Sequence, residues 1–252
     1  MNTQSQTLRD CLGVLNPSYT FDTFLVGNSN LFAHVAALAV ADNQPRPFNP
    51  LLIYGASGTG KTHLLHAIGH QALTRVPHCN IVYLKCDDFT YELIQAIRQD
   101  KNAEFREKYR YADLLLMDDI QYVAGKRATQ KEIFNILSTL YDLGKKIVLA
   151  SDRPPRETFI IAEMVNWSFE SGLVADIQPP DDDLRRAIIR SKAKQLGITL
   201  PDEVIEYIAA KFTSDIFQLE GAVKTIIASR DILDVDITVR SASRRLSEYN
   251  YC

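Results

Sequence analysis

LLIYGASGTGKTHLLHAIG, residues 51–69, decides how this chain is read. A short apolar run, 51–54, suits a buried strand; it runs into a glycine-rich turn and then into a helical stretch, 61–73. The turn GASGTGKT, 55–62, fits the phosphate-binding loop pattern. Gly55, Gly58 and Gly60 let the backbone turn so that its N–H groups, Thr59 included, converge on an anion. Lys61 is placed to reach the β- and γ-phosphates and the Thr62 hydroxyl to ligate Mg²⁺. The helix that opens there, with His63 in its first turn, aims its positive end at the same anion.

Outward from this loop the chain alternates. Apolar runs that suit parallel strands recur at 80–84, 114–117, 146–150 and 173–177, and helix-like stretches at 88–100, 128–143 and 155–164 lie between them. The expectation is a five-stranded parallel α/β core with helices on both faces, spanning residues 15–178. An Ala-rich helix, 31–41, precedes it, and residues 1–14 read as a flexible arm. After Pro179 the strands stop. Four helical segments follow, opened by Asp181–Asp183, Pro201, Ser214–Asp215 and Ile237, so residues 179–252 are expected to form a small all-helical lid.

Composition narrows the class. The 252 residues are 46% hydrophobic and 23% charged, which supports a packed core. A net charge of −3 argues against a protein that coats nucleic acid generally, while leaving room for a local basic patch. Cys11, Cys79, Cys86 and Cys252 lack metal-site spacing and read as reduced thiols. No apolar run is long enough for a membrane span, and the N-terminus lacks a signal core, so a soluble cytoplasmic protein is expected.

The second half of the nucleotide site is LLLMDD, 114–119. Asp118 at the strand end puts a carboxylate near the Mg²⁺ held by Thr62, and Asp119 is placed to polarise water. Asp152, in ASDR at 150–153, either positions that water or simply begins the turn before Pro154.

Together with the phosphate loop, FREKYRYADLLLMDDIQYVAGKRATQKEIFNIL (105–137), SDRPPRE (151–157), GLVADIQPPD (172–181) and LEGAV (219–223) resemble the AAA+ domain of the bacterial replication initiator DnaA. The resemblance covers nearly the whole chain. It implies a AAA+ fold with ATP or ADP and Mg²⁺ at the junction of core and lid. NPSYTFDTFLVGNSN (16–30) resembles the segment that packs against adenine, which puts Val26 near the base. By position Ile94 and Lys126 match residues that line a single-stranded DNA channel, although Lys126 also reads as a solvated helix-start lysine and Ala128 falls where some members carry Arg.

The departures concern arginines. Ser168 stands where the family carries the arginine finger that reaches a neighbour's ATP, Met164 replaces a second arginine, and Phe217 replaces the lid arginine that contacts the γ-phosphate. Residues 157–184 contain no Lys or Arg to substitute for them. Binding of ATP is therefore expected to survive better than hydrolysis, with at most weak ATPase activity. The resemblance ends with the lid, so a short paralogue with the domain arrangement of the regulator Hda, or a portion of a longer protein, is expected, without a sequence-specific duplex-binding module. Three functions stay open: a regulator that associates with a full-length DnaA-type initiator; a single-stranded-DNA-engaging initiator or helicase-loader-like ATPase of a mobile element; and a paralogue in which ATP only stabilises the fold.

Overall fold

A computed structural model of the chain describes residues 15–42, 48–154 and 172–248. The described residues divide between two compact units. The first holds residues 15–24, 32–42, 48–56, 61–154 and 172–177; the second holds Leu25–Leu31, Ser57–Gly60 and residues 178–248.

The first unit is built on five strands: β1 (Leu51–Gly55), β2 (Ile81–Lys85), β3 (Leu114–Asp118), β4 (Lys146–Ser151) and β5 (Leu173–Ile177). They form one sheet in the order β2-β3-β4-β1-β5, and every neighbouring pair is parallel. The strands alternate strictly. Leu51, Ile53, Leu114, Leu116, Val148, Ala150, Ala175 and Ile177 share one core with α1 (Leu31–Ala41) and α2 (Lys61–Arg75). Leu52, Leu115, Met117, Ile147 and Leu149 belong to the opposite core, under α3 (Cys86–Arg98), α4 (Asn102–Arg110) and α5 (Arg127–Asp142). A sheet covered on both faces explains why its strands read as continuous apolar runs.

Helix α4 is an element that the apolar pattern did not announce. It is mostly charged and buries only Phe105 and Tyr109. Those two rings meet Phe89 of α3, with centroids 5.1–5.5 Å apart, and the aromatic cluster holds the helix down. The expected helix at 155–164 lies outside the described residues, as do Cys11, Cys252, Met164 and Ser168.

In the second unit, α6 (Asp182–Gln195), α7 (Asp202–Lys211), α8 (Ile216–Leu233) and α9 (Val239–Glu248) pack around Leu184, Ile189, Val204, Ile208, Leu219, Val223 and Leu246. The start signals act through side-chain caps. Asp181 accepts the Leu184 N–H at 2.8 Å, and Asp215 accepts the Phe217 N–H at 2.7 Å. Gly197, at φ +75°, ends the first helix in a conformation that a β-carbon would penalise. The Arg185 guanidinium is buried. It donates to the carbonyls of Ala209 (2.9 Å) and Pro180 (2.7 Å) and pairs with Asp182, so it cements α6 to the end of α7.

Candidate nucleotide site

In a parallel sheet every strand ends at the same edge, and ligands bind at the carboxyl ends. Here β1, β4 and β3 are successive neighbours, so Gly55, Ser151 and Asp118 end side by side. The chemistry-bearing residues follow from that edge.

Between β1 and α2 the loop needs glycine at two places: Gly58 has φ +75° and Gly60 φ +103°. Thr59 is buried between them. Lys61, the first residue of α2, is 7% exposed and donates from Nζ to the carbonyls of Gly55 (2.7 Å) and Ala56 (2.8 Å). An ammonium has three N–H groups, so one remains for a ligand. Burial lowers the pKa of Lys61, while the carboxylates of Asp118, Asp119 and Asp152 oppose that shift. Three of the residues expected to be catalytic, Asp118, Asp119 and Asp152, are thus within electrostatic reach of the fourth, Lys61.

Asp118 is fully buried. Its Oδ2 accepts the Thr62 hydroxyl at 2.7 Å and the Tyr83 hydroxyl at 3.3 Å, and its Oδ1 accepts the Asp119 N–H at 3.0 Å. Burial raises its pKa above the usual carboxylate range. Thr62, the Asp119 N–H and Tyr83 pull it back, while the Asp119 charge adds to the rise. Asp119 sits in the left-handed region at φ +58° and accepts from Gln121 Nε2 at 3.0 Å. Gln121 Oε1 in turn accepts the Asp152 N–H at 3.2 Å, so one amide side chain ties the end of β3 to the end of β4. The Asp152 Oδ1 is buried without a hydrogen bond, 3.6 Å from Arg153 Nε.

Tyr83 and Gln121 were not anticipated. The two-residue period of the strands gives a signal for the first: Tyr83 on β2 packs in the same core as Leu114 and Leu116, the face from which Asp118 also meets α2. Gln121 carries no such signal, because its place depends on the left-handed turn at Asp119.

The other expected residues are placed as follows. His63 faces the segment that precedes α1. Its Nε2 lies 2.9 Å from the Thr20 carbonyl, and its ring stacks on Tyr19 at 4.8 Å. That segment is strapped to α2 again at His66, whose Nδ1 accepts the Asn16 N–H at 3.2 Å, and at His70, whose Nε2 lies 2.9 Å from the Asn16 carbonyl. In the second unit Val26 is 43% exposed, on a loop pinned by Asn30, which accepts the Gly27 N–H and donates to the Leu25 carbonyl. Ile94 is exposed on α3 beside Tyr91 and Ile97. Lys126, just before α5, is paired with Asp87 at 3.3 Å. Phe217 is 64% exposed in the first turn of α8.

The residues fit a magnesium nucleotide. No cluster of three or more His, Cys, Asp or Glu side chains able to hold a metal occurs among the described residues. Thr62 and Asp118 nevertheless place a hydroxyl and a carboxylate 2.7 Å apart, next in the chain to the buried Lys61. A hard cation with so few protein ligands is of the kind that completes its shell with water and phosphate oxygens.

Comparison with known proteins agrees with this geometry. The family model described as the bacterial DnaA ATPase domain matches residues 15–176. The chromosomal replication initiator protein DnaA of Chloroflexus aurantiacus is 48% identical over 236 residues, covering 94% of this chain and 49% of that protein. Domain III of the Thermotoga maritima replication initiation protein DnaA is 35% identical with a TM-score of 0.86, over 94% of this chain and 99% of that one. A replication initiator DnaA solved with AMPPCP and single-stranded DNA is 36% identical with a TM-score of 0.78, over 88% of this chain and 69% of that one. The chain spans about half the length of the curated relatives it matches, and no described helix is long and apolar enough to cross a membrane. A glycine loop after β1, a buried Asp118 at the end of β3 and these likenesses together mean that the chain belongs to the bacterial DnaA ATPase domain family and has its P-loop AAA+ fold.

Proposed function

We propose that this chain binds ATP, or ADP, with Mg²⁺ at residues 55–62 and acts in replication initiation by associating with a full-length DnaA-type initiator, with weak or no turnover of its own. The observation that carries the reading is the buried Lys61 and Asp118, joined by the half-buried Thr62, directly after a loop with two left-handed glycines. Lys61 offers its remaining N–H to phosphate, and Thr62 and Asp118 hold the metal. Bound Mg²⁺ supplies charge neutralisation to the phosphates. Asp119 and Asp152, linked through Gln121, orient water at the strand ends. Gly55, Gly58, Thr59, Gly60 and His63 shape the loop and its helix, and Val26 lies toward the base. In this reading residues 15–178 hold the nucleotide and 179–252 form the lid.

Turnover is where the chain departs. An arginine finger contributes ~10³–10⁵ in rate, and Ser168 and Met164 stand at the two positions that supply such arginines in the family. Phe217, apolar and exposed, stands where the lid arginine is expected. The chain keeps the face that accepts a finger and lacks the one that donates it, so it caps an initiator assembly. A pull-down with full-length DnaA from the same cell, in ATP, ADP and no nucleotide, tests this together with origin melting in mixtures. Capture in ATP with reduced melting is expected; absence of capture in all three conditions contradicts the association.

One observation favours a second reading, engagement of single-stranded DNA: Tyr91, Ile94 and Ile97 expose an apolar stripe on α3, and a relative has been solved with single-stranded DNA. Strongly salt-dependent binding of an oligonucleotide, weakened in Ile94→Ala, supports it. Indifference to both salt and the substitution removes it.

A further inference from the structure

Helix α8 begins against the phosphate loop. The Ile216 N–H donates to the Gly58 carbonyl at 3.1 Å. Asp215, the residue before it, packs its carboxylate on the glycine itself: a β-carbon built at Gly58 would collide with Oδ1 and lie 2.7 Å from Cγ and 3.2 Å from Oδ2. The carboxylate accepts the Phe217 N–H at 2.7 Å.

These contacts take up two of the N–H groups that a helix start ordinarily offers an anion. An 18-residue helix carries about half a positive charge at its N-terminus, spread over its unpaired N–H groups. Here the Ile216 N–H is used on the loop carbonyl, the Phe217 N–H is used on Asp215, and a full negative charge is set on top of them. The side chain that projects from the first turn is the uncharged ring of Phe217. A loop whose N–H groups are arranged for phosphate is therefore approached from α8 by an anion.

We infer that Asp215 is a specificity-determining residue of the nucleotide site: its charge on Gly58 removes the advantage of the more highly charged nucleotide, so ATP and ADP bind with similar affinity. The inference rests on the nucleotide-binding reading. It also separates two roles of one side chain, because the cap on α8 needs only an oxygen acceptor whereas the discrimination needs the charge. Asp215→Asn keeps the size and the cap and removes only the charge, since Asn caps helices as well as Asp does. Asp215→Ser, a second good cap, does the same with a shorter side chain.

The experiment is equilibrium titration of the whole chain with Mg²⁺–ATP and Mg²⁺–ADP, for the wild type, Asp215→Asn and Asp215→Ser. The thermal midpoint of each nucleotide-free protein serves as the check on the cap. One extra phosphate charge several ångströms from a partly screened carboxylate corresponds to about a five-fold change in affinity. The wild type is expected to bind the two nucleotides within about three-fold of each other, and both variants to favour ATP over ADP about five-fold more than the wild type does, an effect that fades at high salt. Variants that keep the wild-type ATP-to-ADP ratio while binding both nucleotides overturn the role of Asp215 and leave the nucleotide site standing. A wild type that binds neither nucleotide overturns the reading and the inference with it.

Discussion

The first turns of α2 and α8 begin with the same backbone chemistry, a row of N–H groups and a positive helix end, and carry opposite side-chain chemistry. Lys61 and Thr62 open α2 with a buried cation and a hydroxyl already hydrogen-bonded to Asp118. Asp215 and Phe217 open α8 with a carboxylate against Gly58 and an exposed ring. The difference teaches that two helix starts with the same backbone chemistry can be set up oppositely toward an anion. The start of α2 carries a buried cation and is tied into the sheet edge through Thr62; that of α8 is capped by a carboxylate and has no cationic side chain in its first turn.

The comparison is most easily broken at α2. Lys61→Ala leaves the loop without its buried ammonium and is expected to weaken Mg²⁺–ATP binding on the order of 10³-fold. Phe217→Ala, measured in the same titration, is expected to change it less than about three-fold. Equal losses at the two helix starts contradict the division of labour.

The next effect lies on the flank of α2 that carries the histidines. Burial holds the pKa of His66 down to about 4, with His70, His63 and Lys85 adding to the shift, and its Nδ1 accepts the Asn16 N–H. The unfolded imidazole titrates near 6.5, so between pH 6.5 and about 4 the unfolded chain binds a proton that the folded one refuses. The sign is therefore a loss of stability as pH falls through that window, roughly 3 kcal/mol when complete. Denaturant unfolding of the wild type against His66→Gln at several pH values isolates it; parallel curves for the two proteins contradict it.

A smaller effect separates metal binding from folding. Asp118→Asn removes a buried charge whose desolvation already raises its pKa. The metal-free protein is expected to be as stable as the wild type or more so, while the Mg²⁺-dependent part of nucleotide affinity falls ~10–100-fold. The smallest effect sharpens the comparison from the other side: Phe217→Arg is expected to raise the preference for ATP over ADP by about five- to ten-fold. Its full size is expected only when Asp215 is also neutralised.

The strands, the phosphate loop and the four lid helices were legible because each has a local cause. Buried strands make apolar runs, left-handed turns demand glycine, and Asp181 and Asp215 cap where they stand. The meeting of Lys61, Thr62 and Asp118 was legible for the same reason, since the loop spacing and the strand end bring them to one sheet edge. Helix α4 was not, because its hold on the fold is two aromatic residues that meet Phe89 from another helix. The contact of Asp215 with Gly58 was hidden more completely: the two residues are far apart in sequence, and the carboxylate looks like an ordinary cap until the close approach to the glycine is seen. The contacts of His63 with Thr20 and Tyr19, in the strap that precedes α1, were hidden in the same way, because a residue in the first turn of α2 gives no local sign of a partner some forty residues earlier.

The central claim is that this chain retains ATP without consuming it. A single-turnover experiment with γ-labelled ATP and excess protein in Mg²⁺ measures both halves in one sample, as label retained on the protein and label released as phosphate. The account predicts that label is retained and recovered as ATP, with release no faster at higher protein concentration. Failure to retain label, or release that accelerates as protein concentration rises, would contradict it.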